Sequence, residues 1–493
     1  MLKRELTEKL LQQHLNEQGL LTNDQAWTVG YSKLGGRGLF ATRDIQKGEI
    51  IFIDKALITG PRCYKKYLPM CINCYKSGCT LFPCDKGCGL PICSDKCENS
   101  KNHSEAECKY LQKWKPICGS MWSMDLLQAV VPIRSLTLSE SQREVVNALE
   151  CHEGTLHGRE LELLEKNISQ PIDEEDKNFM LRVCRAFDTN AFETVRVIDN
   201  EISISLRALY PLGALQNHDC VPNTRHYFNA DGLMITRAVV PIDEGEELTM
   251  TYTDLLWSTH LRRKYLIMSK HFECNCYRCS DPTEFGSNIS ALRCANLECY
   301  GIILPENPLN QKSSWICRQC NNKVSSRQVE SIWSGIMSIV NGMVTESPRK
   351  MLKFIEGELK TLVPDTNYFM LDMKFRIISF FGRIEGLEWK NLSDKELEFK
   401  EKYCTDLIQT LDTLGCGDCQ KKGLILNELF CTKRELFSRT ALDNNDDENL
   451  QVNDMAQNLL EIAQKATEIL QDDIAAPNDL KTLNILSLPR TNA

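Results

Sequence analysis

The cysteines are the feature of this sequence that most limits what the chain can fold into. There are 24 of them in 493 residues, and many stand in short-spaced pairs. Residues 1–18 carry charges throughout and lack the apolar core of a secretory signal, so we expect a reducing compartment. Under reducing conditions, paired cysteines are typical of metal sites rather than of disulfides.

The densest cysteine block, residues 71–108, holds four ligand pairs. Zinc takes four nitrogen or sulfur ligands in a tetrahedron, so eight ligands predict two ions. An interleaved arrangement lets two ions hold one short segment together with little apolar core. Cys79 is an alternative to Cys84 as a ligand. We assign the first ion to Cys71, Cys74, Cys93 and Cys97, and the second ion to Cys84, Cys88, His103 and Cys108.

Two later blocks predict two further zinc sites. Three cysteines lie close together at 274–279 and need a fourth ligand; Cys220 is our candidate, although spacing alone does not select it. The other block has two pairs of cysteines with Gly301 and Trp315 between them, which is typical of a zinc ribbon. We interpret Cys416 and Cys419, which lack a partner pair, as ordinary cysteines. The predicted ligands are Cys220, Cys274, Cys276 and Cys279 for the third ion, and Cys294, Cys299, Cys317 and Cys320 for the fourth.

Composition and charge exclude several classes of protein. Hydrophobic residues make up 42% and charged residues 25%, which is typical of a folded chain. No run of eighteen uncharged apolar residues occurs, so we expect no membrane-spanning segment. The formal charge is −9, and four zinc ions bound by thiolates lower it to about −16. This charge disfavours direct sequence-specific binding of DNA and favours a basic partner such as a lysine-bearing tail.

Three motifs, far apart in the chain, occur in a fixed order. They are Gly36–Ala41 (GRGLFA), Asn217–Asn223 (NHDCVPN) and Gly245–Tyr252 (GEELTMTY). In combination they resemble the SET-domain protein-lysine methyltransferases. The two-ion block inside this region resembles a MYND finger, so the chain is similar to the SMYD family, and the extra ribbon is similar to that of its arthropod branch, the SmydA proteins. The resemblance covers about Trp27–Cys320.

The resemblance, together with the periodicity of the apolar residues, implies an α+β fold with a split, β-rich SET domain. The helical C-terminal domain is expected to be either a tetratricopeptide-like superhelix, as in the family, or a plainly packed helical domain. In chain order we predict an N-terminal helix (1–20), the N-terminal part of the SET domain (25–62), a MYND zinc finger (71–108), a helical SET insert (110–184), the SET core (185–260), a post-SET zinc site (270–282), a zinc ribbon (290–325), the helical C-terminal domain (326–480) and a flexible tail (481–493).

The resemblance implies S-adenosyl-L-methionine as cofactor and a lysine side chain as methyl acceptor. The expected function is therefore protein-lysine N-methylation, with histone tails as expected substrates and transcription as the regulated process. The MYND finger implies proline-rich or corepressor-type peptides as partners. We expect the protein in the cytoplasm, the nucleus or both. The alternative is a catalytically weak SET/MYND adaptor that recruits partner proteins.

Family motifs also imply the residues of the site. Tyr252 is the expected catalytic residue, because its hydroxyl would lie where the cofactor and lysine channels meet. The two motif glycines would let main-chain amides approach the methionine part of the cofactor. Arg37 has two interpretations, steering of the cofactor carboxylate or a solvated turn residue. The expected cofactor-binding residues are Gly36, Arg37, Gly38, Asn190, Asn217, His218, Tyr252 and Phe272.

Two residues depart from the family pattern. Asp219 follows Asn217 and His218 where a serine is usual, which puts a carboxylate beside the expected cofactor pocket. Lys270 stands where a second channel tyrosine is usual, and an ammonium there would repel an incoming lysine. Alternatively, Lys270 turns outward and His271 takes its place.

Overall fold

The computed structural model describes residues 4–61, 69–152, 158–198, 201–296, 298–443 and 449–482. Contacts divide the chain into two compact units. The first comprises Met1–Asn217, His226–Ala238 and Ile242–Leu248; the second comprises His218–Arg225, Val239–Pro241 and Thr249–Ala493. Most of the predicted tail, from residue 483 on, lies outside the described residues.

The first unit begins with helix α1 (Arg4–Glu17), which packs on the first strands. Its buried residues recur at helical spacing, since Thr7, Leu10, Leu11, His14 and Leu15 all lie on one face. The strands that follow are β1 (Trp27–Tyr31), β2 (Arg37–Ala41), β3 (Ile50–Asp54) and β4 (Ile58–Pro61). β1 and β2 form an antiparallel hairpin, and its turn carries Gly35 and Gly36 with φ of 130° and 64°.

The MYND-like segment is short of regular structure, as expected of a segment held by metal ions. Its elements are β5 (Phe82–Pro83), β6 (Pro91–Ile92), α2 (Asp95–Glu98), α3 (Lys101–Ser104) and α4 (Glu107–Trp114). The segment after it contains the helices α5 (Met124–Gln128), α6 (Val130–Ser135), α7 (Glu140–Ala148), α8 (Arg159–Lys166) and α9 (Glu174–Asn190), and we call it the insert. Segment and insert share one apolar core that includes Leu90, Leu111, Trp114 and Ile133.

The remaining SET strands form three small sheets with the earlier ones. They are β7 (Phe192–Ile198), β8 (Glu201–Leu209), β9 (Asn217–His218), β10 (Thr224–Phe228), β11 (Met234–Ala238) and β12 (Glu247–Met250). The strand orders are β1-β2-β12-β9, β10-β11-β3 and β4-β8-β7. Short 3₁₀ turns occur at Gly213–Leu215 and Trp389–Asn391.

The second unit combines two cysteine-rich segments with a helical region. The cysteine-rich part contains α10 (Thr259–Lys270), α11 (Tyr277–Ser280) and a four-stranded sheet of β13 (Leu292–Arg293), β14 (Ile302–Pro305), β15 (Trp315–Cys317) and β16 (Lys323–Val324). The helices are α12 (Ser326–Val344), α13 (Pro348–Phe354), α14 (Lys360–Leu362), α15 (Tyr368–Phe380), α16 (Asp394–Thr413), α17 (Gln420–Asp443), α18 (Asn449–Leu470) and α19 (Asn478–Thr482), with a π turn at Ile355–Leu359.

This architecture confirms the predicted α+β class and the helical C-terminal region. Whether those helices form a tetratricopeptide-like superhelix stays a prediction. Among the described helices, none combines the length and the hydropathy that a membrane span requires.

Candidate active site and metal centres

Four groups of side chains bring their ligand atoms together at metal-binding distances, and they are the four predicted sets. Zn–S bonds of about 2.3 Å in a tetrahedron place sulfur atoms about 3.8 Å apart. The Sγ atoms of Cys220 and Cys274 are 3.9 Å apart, and those of Cys294 and Cys320 are 3.6 Å apart. These distances are much longer than a disulfide of about 2.05 Å, so each group fits a zinc ion.

The structure resolves the choice between Cys79 and Cys84 in favour of Cys84. Cys84 Sγ lies 3.9 Å from Cys108 Sγ and 3.4 Å from His103 Nε2, whereas Cys79 belongs to none of the four clusters. Cys416 and Cys419 are buried and likewise outside these clusters, as expected of ordinary cysteines.

Behind the second cluster lies a buried carboxylate, Glu107. His103 Nδ1 lies 3.0 Å from Glu107 Oε1, and Arg134 binds both carboxylate oxygens, at 2.9 and 3.0 Å. Burial alone raises the pKa of Glu107, but Arg134 and His103 together hold it below its usual value. An ionised Glu107 fixes His103 with Nε2 facing the other ligands, which is the carboxylate–histidine–metal arrangement.

Arg134 also fastens the finger to the rest of the first unit. Its guanidinium donates to the carbonyls of Thr59 on β4 and Ile72 in the finger, both at 3.0 Å, and to the Tyr75 hydroxyl. One side chain from insert helix α6 therefore links a SET strand to the metal-binding segment.

Cys220 completes the third cluster, as predicted, and all four residues of this cluster are buried. Arg262 lies beneath it with its side chain fully buried. Arg262 Nε donates to Cys220 Sγ at 3.2 Å and Nη2 to Cys279 Sγ at 3.5 Å. Donors of this kind stabilise thiolates, which are the form that zinc requires.

A second arginine and a glutamate complete the charge balance of this cluster. Glu284 accepts from Arg262 at 2.7 Å and from Arg278 at 3.0 Å, and all three side chains are buried. Four thiolates with one zinc carry −2, two arginines carry +2 and Glu284 carries −1. The buried charges therefore nearly cancel, as burial of ions demands.

His218 connects the third cluster to the expected catalytic tyrosine. The main-chain N–H of Tyr252 donates to His218 Nδ1 at 2.9 Å, and His218 Nε2 lies 3.2 Å from Cys220 Sγ. Burial lowers the pKa of His218 to about 4, so the imidazole is neutral. Since Nδ1 is an acceptor, the ring proton is on Nε2 and is donated to the Cys220 sulfur.

Aromatic rings surround Tyr252 in the second unit. The His218 and Phe272 ring centroids lie 5.2 and 6.5 Å from that of Tyr252, and Phe272 lies 6.0 Å from His218. Lys270 Nζ lies 5.2 Å from the centre of the Tyr252 ring, at cation–π distance. The ammonium has therefore not turned away from Tyr252, and His271, the C-cap of α10, is exposed.

The ribbon cluster is held mainly by main-chain donors. The amides of Asn296, Gly301 and Gln319 donate to Cys294, Cys299 and Cys317, respectively, at 3.3–3.5 Å. A Cβ on Gly301 would lie 2.8 Å from Cys317 Sγ and 2.9 Å from Gln319 Cβ. Only glycine fits at that position.

In the first unit, the β1–β2 turn lies beside Asn217. Asn217 Nδ2 donates to the Arg37 carbonyl at 3.0 Å and to Glu247 Oε1 at 2.7 Å. A Cβ on Gly38 would lie 2.3 Å from Glu247 Oε1, whereas one on Gly36 would meet no atom within 4 Å. Gly38 thus allows close side-chain packing, and Gly36 leaves the turn open.

Arg37 and Asn190 converge on one segment, Ala148–Glu150. The Arg37 guanidinium donates to the Ala148 carbonyl, and Asn190 Nδ2 donates to the Glu150 carbonyl at 2.7 Å. Arg37 is only 8% exposed, so its interpretation as a solvated turn residue is wrong. The cofactor contacts expected of Arg37, Asn190 and the other predicted cofactor-binding residues stay predictions.

The comparisons with known proteins agree with the motifs. The SET domain family model matches residues 36–253. The chain is 32% identical over 433 residues to the SET domain-containing protein SmydA-8, isoform B, of Drosophila melanogaster, covering 86% of this chain and 95% of that protein. The chain belongs to the SMYD family of SET-domain proteins, in its SmydA branch. This SMYD chain is also 30% identical to N-lysine methyltransferase SMYD2-A of Xenopus laevis, over 50% of this chain and 58% of that protein. It is likewise 30% identical to histone-lysine N-methyltransferase SMYD3 of Homo sapiens, over 50% of this chain and 59% of that protein.

Sequence reasoning found the ligands of this SMYD protein but not the charged residues behind them. The missed residues are Glu107, Arg134, Arg262, Arg278 and Glu284. Two of them carried a local signal, since Glu107 directly precedes Cys108 and Arg278 directly precedes Cys279. The other three lie in segments that pack on a cluster only in the folded chain, and the spacing of residues in the sequence does not reveal that packing.

Proposed function

We propose that this SMYD protein is an S-adenosylmethionine-dependent protein-lysine N-methyltransferase. The observation that carries the proposal is the way Tyr252 is fixed, by a neutral His218 hydrogen-bonded to its main chain and by the ring of Phe272. The SMYD relatives named as lysine methyltransferases support it. The chain spans little more than half of those relatives, so their substrates come to this chain as proposals.

The residues present fit the cofactor. Bound S-adenosylmethionine would supply an electrophilic methyl group on a sulfonium. Asn190 Nδ2 donates to main-chain carbonyls, and Asn217 Nδ2 donates to a main-chain carbonyl and to Glu247. The Oδ1 atom of each asparagine could then accept a hydrogen bond from the α-ammonium of the cofactor. The open turn at Gly36 lets main-chain groups approach the ligand closely.

Tyr252 would orient the acceptor amine, and its neighbours would keep that amine neutral. A lysine has a pKa near 10.4, so its proton must leave before the nitrogen attacks. Apolar and aromatic surroundings, here Phe272 and His218, disfavour the ammonium form. Methyl transfer then depends mainly on alignment of the two reactants, which a rigidly held tyrosine provides.

We propose lysine-bearing basic tails, histone tails among them, as substrates, and a role in transcription, with residence in the nucleus, the cytoplasm or both. The acidic charge of the chain, −9 before metal is counted, supports attraction of a basic partner.

A specific observation favours a second candidate function, that of a catalytically weak adaptor. The Lys270 ammonium faces the Tyr252 ring at 5.2 Å. It would repel a cationic acceptor at the place where the amine must dock. In that case the MYND finger would recruit proline-rich or corepressor-type peptides without methylation.

One assay separates the two functions. The zinc-loaded protein is incubated with methyl-labelled S-adenosylmethionine and either mixed histones or a cell extract. The enzyme hypothesis predicts labelled protein with the wild type, a loss of roughly a hundredfold in rate with Tyr252→Phe, and an increase with Lys270→Tyr, because the repelling charge is gone.

Lys264→Tyr on the exposed face of α10 is the matched control and should leave the rate unchanged. Label that appears only with Lys270→Tyr would favour the adaptor. Label that survives Tyr252→Phe at the wild-type rate would contradict the role given to Tyr252.

A further inference from the structure

The N-terminal helix α1 is firmly built into the first unit. Leu10, Leu11 and Leu15 lie in the same apolar core as the SET strands and the end of α7. The Glu8 carboxylate accepts from Thr28 Oγ1 at 2.7 Å and from the Val29 amide at 2.9 Å. The helix is therefore held by polar bonds to β1 as well as by apolar packing.

Arg37 joins this helix to the β1–β2 turn. Its Nη1 donates to Thr7 Oγ1 at 2.6 Å, and its Nη2 donates to the Ala148 carbonyl. Thr7 is 1% exposed and Arg37 is 8% exposed. A buried guanidinium needs acceptors, so α1 and the end of α7 together hold this side chain in one place.

The main chain of Arg37 belongs to the expected cofactor site. Its carbonyl accepts from Asn217 Nδ2, and the turn before it contains Gly35 and Gly36, which lack side chains that could anchor them. Glycine-rich turns have many accessible conformations, so their geometry depends on the residues at their ends. At one end Ser32 Oγ donates to Glu247 Oε2 at 2.7 Å; at the other, Arg37 is the anchor.

We propose that α1 is an integral part of the cofactor site and that Arg37 is a positioning residue. Thr7 and the Ala148 carbonyl hold the Arg37 guanidinium, and this holds residues 32–38 in the conformation that receives the cofactor. Arg37 then does not bind the cofactor carboxylate. The proposal rests on the proposed function, because it assigns a role at the same S-adenosylmethionine site.

The first test separates positioning from direct contact by comparing two ligands. Isothermal titration calorimetry measures the affinity of the zinc-loaded full chain for S-adenosylmethionine and for its decarboxylated analogue. Positioning predicts that Arg37→Met weakens both ligands by the same factor, roughly tenfold or more, as expected when a buried charged hydrogen bond is lost. If only S-adenosylmethionine loses affinity and the analogue does not, Arg37 contacts the carboxylate and the proposal is overturned.

The second test acts on α1 alone. Thr7→Val removes the hydroxyl and keeps the shape, Thr7→Ser keeps the hydroxyl, and Gln13→Ala changes an exposed residue of the same helix. We expect Thr7→Val to weaken S-adenosylmethionine binding roughly tenfold, with the other two variants unchanged. Equal affinities for the Val and Ser variants would overturn the proposal.

Hydrogen exchange of the unliganded chain keeps this proposal distinguishable from the proposed function. Thr7→Val should raise amide exchange at residues 32–38 while the rest of the β1–β2 hairpin stays protected. If the wild type binds neither ligand, the proposed function fails. Hydrogen exchange at residues 32–38 still tests whether the contact between Thr7 and Arg37 holds the turn. Unchanged exchange at residues 32–38, or faster exchange throughout the first unit, would overturn the positioning role.

Discussion

At the scale of single residues, the zinc ligands depend on charged neighbours that are not ligands. Glu107 is fully buried and is shared by His103 and the bidentate Arg134. Glu107→Gln removes the charge and leaves the Arg134 guanidinium without its counter-ion. Loss of such an outer-shell partner typically weakens metal binding about 10–100-fold. We therefore expect the Glu107→Gln protein to lose one of its four zinc ions, that of the cluster with His103, at about 10–100-fold lower chelator concentration than the wild type does. Competition with a chromophoric chelator measures this loss.

Glu105 provides the matched control for this prediction, because it is exposed and lies in the same segment. Glu105→Gln should keep the wild-type titration of all four ions. A Glu107→Gln protein with four equally retained ions would show that the carboxylate is not needed to orient His103.

The residues that sequence could and could not predict differ in the range of their interactions. The cysteine ligands stand in short-spaced pairs, and tetrahedral coordination restricts how those pairs combine, so the structure brings together the same sets as predicted. Arg37 is different, because its acceptors are Thr7 and Ala148, which lie 30 residues before it and 111 residues after it. No local spacing encodes such a contact; it follows from how α1 and α7 pack.

At the scale of elements, helix existence was easier to predict than helix starts. The apolar periodicity of residues 332–344 indicates a helix over that stretch, yet α12 begins earlier, at Ser326. The missed signal is a capping box, in which the Ser325 hydroxyl accepts from the Gln328 amide and the Gln328 side chain accepts from the Ser325 amide. Ser393 and Glu396 start α16 in the same way. Polar caps extend a helix beyond its apolar stripe, where periodicity carries no information.

The connection between α16 and α17 contains two glycines with positive φ and different surroundings. Gly415 is the glycine of a Schellman motif, with its amide on the Asp412 carbonyl and the Cys416 amide on the Leu411 carbonyl. Gly417 has a φ of 55°, and a Cβ there would lie 2.3 Å from the Val239 carbonyl oxygen.

We expect Gly417→Ala to destabilise the second unit more than Gly415→Ala. Both substitutions place a side chain at positive φ, which lowers the free energy of unfolding by about 1–2 kcal/mol each. Only Gly417→Ala also displaces main chain, and the bond from the Asp418 amide to the Val239 carbonyl would be strained with it. Calorimetric scans of both zinc-loaded variants should show the larger drop in unfolding midpoint for Gly417→Ala. Equal midpoints would mean that the connection shifts to make room.

At the scale of the whole molecule, the four metal clusters differ sharply in protection. All four ligands of the third cluster are buried, and Arg262 donates to two of its sulfurs. In the ribbon, Cys320 is exposed and Cys294 and Cys299 are only half-buried. A thiolate that is exposed and held by main-chain amides reacts faster with alkylating agents than one that is buried and paired with a guanidinium.

This difference predicts the order in which the protein loses its metal. Under chelator with an alkylating agent, zinc should leave in phases, with the ribbon ion first and the Cys220 ion last. Mass spectrometry should find Cys294 and Cys320 modified before Cys220 and Cys279. Cys294→Ser combined with Cys320→Ser should abolish the fast phase and leave the slower phases unchanged, since the ribbon has its own sheet and donors. Early alkylation of Cys220 would mean that the buried arginine does not protect its cluster. The local charge balance would then not determine how tightly each cluster retains its zinc ion.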